Sequence, residues 1–149
     1  CPDSSRPGGP TGDDLCDTDV MATDAGDRTA HTREVISDFI DVVHARDYDR
    51  MRSMLAPDFT AEYPHTGEVF DLEKYIRLSR DYPGGPWHIH VEEQVVEDDR
   101  AVCRATIQNG QATFFMACFV TVDHFDRISR IIEVWTSEVA PRQSEYRPG

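Results

Sequence analysis

The sequence predicts an α+β domain, three N-terminal helices packed on one strongly curved, mainly antiparallel sheet, and three observations predict it. Apolar residues recur at helical spacing in three segments of the first half, and they alternate with period two through the second half. The strands of that second half follow one another through short turns, with no helix between them. Helices first and a meander afterwards place the helices on one sheet face, and 149 residues suffice for one such domain.

Residues 1–30 are rich in Pro, Gly, Asp, Ser and Thr and read as a disordered acidic tail, in which Asp3, Asp13, Asp14, Asp17, Asp19, Asp24 and Asp27 face only Arg6 and Arg28. Met21 opens a run, Met-Ala-Thr-Asp, that would serve as a translation start. The first helix is expected from about Thr32, its N-cap, to Ala45, with Glu34 in the first turn and Val35, Phe39, Val42 and Val43 on one face. The second runs from the capping Asp47 to Ala56, with Tyr48, Met51 and Leu55 as its stripe and Pro57 as its stop. The third runs from Asp71 to about Tyr82, turning Leu72, Tyr75, Ile76 and Ser79 inward, before Pro83-Gly84-Gly85-Pro86 breaks the chain.

Phe59, Ala61 and Tyr63 alternate in a short strand that Glu68 to Phe70 can join. Trp87, Ile89 and Val91 alternate with His88, His90 and Glu92; Asp98-Asp99 turns the chain, and Ala101 to Gln108 returns. Asn109-Gly110 is a type I′ hairpin signal, since both residues tolerate positive φ. Ala112 to Val122 is apolar on both faces and belongs mid-sheet, and Ile128 to Val139 closes the domain, leaving 140–149 as a flexible tail. Phe115 and Phe119 then need cover on the face away from the helices, which a second copy of the chain would supply as a homodimer.

The net charge of −13 excludes nucleic acid and anionic membrane surfaces as partners, which need clustered Lys and Arg, and serves solubility. No apolar run reaches the ~18 residues that span a bilayer, and the N-terminus shows neither the basic start nor the apolar stretch of a secretory signal. Four cysteines, two of them (Cys103 and Cys118) inside apolar strands, make no disulfide framework, and a reducing cytoplasm is the expected location.

The helix-ending Arg-Asp-Tyr-Asp, the Ala-Pro-Asp-Phe-Thr-Ala-Glu-Tyr-Pro strand after it and the closing Arg-Ile-Ser-Arg-Ile-Ile-Glu-Val-Trp resemble the NTF2-like superfamily, and most of all its SnoaL-like branch, over roughly residues 32–138. The resemblance implies a cone-shaped fold enclosing a ligand pocket. It does not fix an activity, because polyketide cyclases, ketosteroid isomerases and limonene epoxide hydrolases share that fold. Where ketosteroid isomerases carry their catalytic Asp this chain has Tyr63; where they carry the oxyanion-binding Tyr it has Phe39; and where they carry the protonated Asp it has Cys118. The resemblance therefore does not extend to that mechanism, and the arginine between two aspartates of the epoxide hydrolases has no counterpart.

The same alignment turns Ile131, Glu133 and Trp135 inward beside Tyr63. Glu133 is then a carboxylate in apolar surroundings, with the raised pKa of a general base or acid. Tyr63 is a hydrogen-bond donor to a ligand oxyanion, and His65, near the cone mouth, a titratable partner. Phe39, Trp87, Cys103, Ala105, Cys118 and Trp135 would line the substrate site, the tryptophans as flat walls and the small residues as room. The thiols are expected to be inert for lack of an activating cation. His88, His90 and Glu92, at i, i+2 and i+4, share a strand face and offer part of a metal site, but their face is the outer one, and a polar surface is the reading adopted; no metal is assigned.

The expected function is cofactor-independent acid–base chemistry (cyclisation, isomerisation or hydration) on a small apolar organic molecule, a lyase- or isomerase-like role. The alternative is a non-catalytic, dimeric ligand- or partner-binding module, marked by a cavity below the ~300 Å³ of ligand sites and a salt-bridged Glu133. A metal-dependent role through His88 and His90 is the third reading.

Overall fold

The structure, a computed structural model, describes residues 11–141 and 145–147; the rest of the expected N- and C-terminal tails lies outside the described residues. The elements follow as α1 (Thr11–Ala45), α2 (Tyr48–Met54), β1 (Leu55–Tyr63), β2 (Glu68–Asp71), α3 (Leu72–Asp81), β3 (His88–Glu97), β4 (Arg100–Gln108), β5 (Thr113–Val122) and β6 (Ile128–Ser137). The strands form one curved mixed sheet in the order β2-β1-β6-β5-β4-β3, antiparallel throughout except for the β1–β6 pair. The architecture is α+β, and β5 sits inside the sheet as its two-sided apolar pattern requires.

Helix α1 begins well before the expected start. Thr32 is not an N-cap: it lies within the helix, and its hydroxyl donates to the Asp98 carbonyl at 2.6 Å, while the Thr29 hydroxyl accepts the Asp98 N–H at 2.9 Å. Arg28 adds ion pairs to Asp98 and Asp99 at 3.3 and 3.6 Å. One turn of α1 thus clamps the β3–β4 turn, where Asp98 takes a φ of 55°. These partners lie far away in the chain, beyond the reach of local periodicity.

At its other end α1 closes in a Schellman motif, with Arg46 N–H donating to the Val43 carbonyl at 3.1 Å and Asp47 N–H to the Val42 carbonyl at 3.2 Å. Asp47 then caps α2 by accepting the Arg50 N–H at 3.1 Å. Helix α2 ends at Met54 rather than Ala56. A residue before proline disfavours helical geometry, so Leu55 and Ala56 open β1 instead, and the register shift between Leu55 and Thr60 against β6 accommodates Pro57. Asp71 caps α3 through the Lys74 N–H at 2.9 Å.

The Asn109-Gly110 hairpin forms, though not as a type I′ turn. The connection spans four residues, only Gly110 takes positive φ, and the Asn109 side-chain oxygen accepts the Gln111 and Ala112 N–H groups at 2.9 and 2.7 Å. An Asx turn has replaced the two-residue loop. On edge strand β3, the free Ile89 N–H donates to His44 Nε2 of α1 at 2.9 Å, which shields part of that edge.

Val35, Ile36 and Val42 of α1, Met51 of α2 and Ile76 of α3 pack on the inward residues of the sheet, among them Phe59, Ala61, Val120 and Ile131. On the far face Val95, Val102, Phe115, Phe119 and Val134 remain exposed. No helix among the described residues is long and apolar enough to cross a membrane.

Candidate active site

Between the helices and the concave sheet face lies a cavity of about 520 Å³. Its floor is set by strand register. Cys103 on β4 stands opposite Cys118 on β5, and Cys118 opposite Glu133 on β6, so the three form one row across adjacent strands. Alternation along β6 turns Ile131, Glu133 and Trp135 to the same side.

Glu133 is 5 % exposed and charge-capable in an apolar surround. The Tyr75 hydroxyl donates to its Oε1 at 2.8 Å, and the Trp135 indole N–H to its Oε2 at 2.9 Å. Burial pushes the carboxyl above its ordinary range, and the hydrogen bonds from Trp135, Tyr75 and Tyr63 pull it back. Burial, reinforced by the Glu133 charge, raises both tyrosines, so they remain phenols and stay donors. Each oxygen of the carboxylate is thus met by a neutral donor, and no cation pairs with it among the described residues. This is an acid–base group tuned by two opposing forces, desolvation against hydrogen bonding.

Of the residues expected to act, Tyr63 lines the same cavity as Glu133, close enough to lower its carboxyl. His65 lines the cavity at its exposed rim and stacks on Tyr63 at 5.8 Å, but it is not among the carboxylate's donors. Phe39, Trp87, Cys103, Ala105, Cys118 and Trp135 all line the cavity. Phe114 bridges the two tryptophans by edge contacts at 5.4 and 6.3 Å, forming an aromatic wall. Cys103 and Cys118 are buried cross-strand neighbours, and the adjacent Cys103 thiol together with burial pushes the Cys118 thiol up.

Tyr75 is the functional group that sequence reasoning missed. It was legible as an inner-face residue of α3, and a buried tyrosine hydroxyl demands a partner. The inward Glu133 was the available one.

The row on β3 is different. His90 Nε2 stands 3.9 Å from Glu92, the Thr106 hydroxyl donates to Glu92 at 3.0 Å, and His88 stacks on His44 at 4.8 Å. The strand bulges at Glu92, between Val91 and Glu93, so the alternation shifts beyond the three side chains. Among the described residues no group of three or more His, Cys, Asp or Glu side chains is placed to hold a metal.

Residues 36–131 match the model of the SnoaL-like domain. The chain belongs to the SnoaL-like domain family. No curated protein matches it. Among solved structures, this SnoaL-like domain is similar to a Kribbella flavida protein assigned as a ketosteroid isomerase, with 23 % identity, a TM-score of 0.70, and 79 % of this chain and 87 % of that one covered. It is also similar to an epoxide hydrolase of M. tuberculosis described as LEH-like, with 15 % identity, a TM-score of 0.62, and 72 % and 84 % covered. A third likeness is to a SnoaL-like protein of Shewanella denitrificans assigned as a polyketide cyclase, with 9 % identity, a TM-score of 0.62, and 70 % and 90 % covered. At these identities the likeness is one of fold.

Proposed function

We propose that this SnoaL-like domain carries out cofactor-independent proton transfer on a small, largely apolar organic molecule, with Glu133 as the base or acid. The observation that carries the reading is a buried carboxylate, held only by neutral donors, in the wall of a cavity within the ~300–1,000 Å³ range of small-molecule sites. Glu133 takes a proton from carbon or delivers one to an oxygen or carbon of the substrate. Tyr75, Trp135 and Tyr63 hold the carboxylate in place, and a substrate oxygen that displaces the Tyr63 hydroxyl from it gains that donor as charge develops. Trp87, Phe114 and Trp135 stack against a flat substrate, and His65 at the rim offers it a polar contact. Cyclisation, isomerisation and hydration each include such a transfer as one step.

The test is hydrogen–deuterium exchange into a panel of apolar enolisable ketones in D2O, followed by proton NMR. Wild-type protein is expected to exchange α-protons faster than buffer, and Glu133→Gln to lose the acceleration by about 10²–10⁴-fold. An unchanged rate in Glu133→Gln removes the mechanism.

One observation favours a second reading. Both Glu133 oxygens are already bonded, as in a structural anchor, and a binder without chemistry would show ligand uptake in the cavity with no exchange by the wild type. In either case we place the protein in the cytoplasm as a homodimer joined through the exposed face of Phe115 and Phe119. Phe119→Glu is then expected to halve the mass in sedimentation equilibrium.

A further inference from the structure

We propose that the ligand is an apolar organic acid whose anionic group is bound by Arg46 at the cavity rim while its hydrocarbon body extends to the Glu133 end. This rests on the cavity being a ligand site. Arg46 is the one Lys or Arg side chain among the residues lining the cavity. Its Nε donates to the Tyr48 hydroxyl at 3.4 Å, and Tyr48 lines the same cavity. Among the described residues nothing occupies its terminal nitrogens, although acidic residues outnumber Lys and Arg by 28 to 15. Arg28, Arg52, Arg80, Arg104, Arg127 and Arg130 reach a carboxylate, and of the described arginines without an ion pair Arg46 is the one that lines the cavity.

The backbone supplies a second, independent observation. Arg46 holds the left-handed position of the Schellman motif at a φ of 57°. Glycine or asparagine fills that position without the steric penalty a long side chain meets there. A strained position occupied by a cation, facing a cavity, is where function rather than stability selects the residue. The motif also fixes the direction in which the arginine leaves the backbone. The lining carries two carboxylates, Glu68 on β2 and the buried Glu133, and neither pairs with Arg46. A guanidinium with both terminal nitrogens free binds a carboxylate, sulfonate or phosphate through two parallel hydrogen bonds.

The experiment uses two dyes that share an N-phenylnaphthylamine skeleton: 1-anilinonaphthalene-8-sulfonate, which is an anion, and N-phenyl-1-naphthylamine, which is neutral. Both tryptophans of the chain, Trp87 and Trp135, line the cavity, so quenching of their emission reports occupancy there rather than on the outer sheet face. Wild-type protein is expected to bind the sulfonate more tightly than the neutral dye. Arg46→Gln is expected to weaken the sulfonate about tenfold and to leave the neutral dye within about twofold, with Arg46→Lys recovering part of the loss. Equal losses for both dyes, or none for either, overturn the Arg46 assignment and leave the cavity reading standing. Failure of both dyes to quench the wild type overturns the cavity reading and the assignment with it.

Discussion

Two strand carboxylates, Glu133 on β6 and Glu92 on β3, each stand two residues from a ring that carries an N–H, and they end in opposite electrostatic situations. Glu133 is sealed beneath the helices and bonded by Trp135 and by Tyr75 from α3. Glu92 sits on an edge strand, a third exposed, with His90 at a loose 3.9 Å. The local pattern is nearly the same, and the difference is made by what folds over it. A carboxylate acquires a perturbed proton affinity when distant elements remove its water and then replace only part of that solvation.

The largest expected consequence is a pH slope in stability. Burial raises the Glu133 carboxyl in the folded state, while unfolding returns it to the ordinary range. Between those values the folded state holds a proton that the unfolded state has released. This group's contribution is therefore fully present below the ordinary carboxylate range and is lost as pH rises through the folded value, with a limiting slope of about 1.4 kcal/mol per pH unit. Urea unfolding of wild type and Glu133→Gln between about pH 4 and pH 8 isolates it. The variant is expected to lack the fall, and parallel curves would mean that the two carboxylates are alike after all.

Next in size is Tyr75→Phe. A buried hydrogen bond to a charged acceptor contributes about 1.5–3 kcal/mol, and this one opposes the rise of the Glu133 carboxyl. The variant is expected to lose about 2 kcal/mol at neutral pH and to move the wild-type slope to higher pH. Unfolding at full wild-type stability would detach α3 from the site.

A smaller effect is expected at the cavity mouth. Gly84 has a φ of 94°, and an added Cβ would lie 3.1 Å from the Trp87 ring and 3.3 Å from the Asn109 amide, which donates to the Gly84 carbonyl at 2.8 Å. Gly67 has a φ of 78° with open space around it. Gly67→Ala reports backbone strain alone, about 1 kcal/mol, and Gly84→Ala that strain plus the displacement of Trp87. A red-shifted Trp87 emission in Gly84→Ala only is the expected sign.

Much of the fold was legible because the patterns that carry it are local. The stripes of α1 and α3, the alternation of β3 and β4 and the two-sided apolarity of β5 each lie within one segment. The misreadings mark places where a distant partner decides. Thr32 resembled a cap because Asp98, its true partner, lies on the distant β3–β4 turn, and Leu55 resembled helix until β6 offered it a strand to join. The site followed the same division. Alternation along β6 together with the family resemblance put Glu133 and Trp135 inside, but the hydroxyl that completes the cluster comes from α3, where Tyr75 reads as one more apolar-stripe residue. Arg46 was hidden for another reason, since its role depends on a backbone conformation that the identity of the residue does not favour.

The smallest expected effect is at Glu92 itself. The His90–Glu92 pair is solvated, its separation is at the outer limit of an ion pair, and exposed pairs contribute about 0–1 kcal/mol. His90→Ala combined with Glu92→Gln is expected to change stability by less than about 0.5 kcal/mol, since the carbonyl of the introduced amide can still accept from the Thr106 hydroxyl. Calorimetric titration of wild type with zinc is expected to show no stoichiometric uptake that the double variant removes. A larger loss of stability, or such uptake, would place Glu92 with Glu133 among the carboxylates that the fold has withdrawn from water for a purpose, and would mean that convergence from other elements is not the feature that separates them.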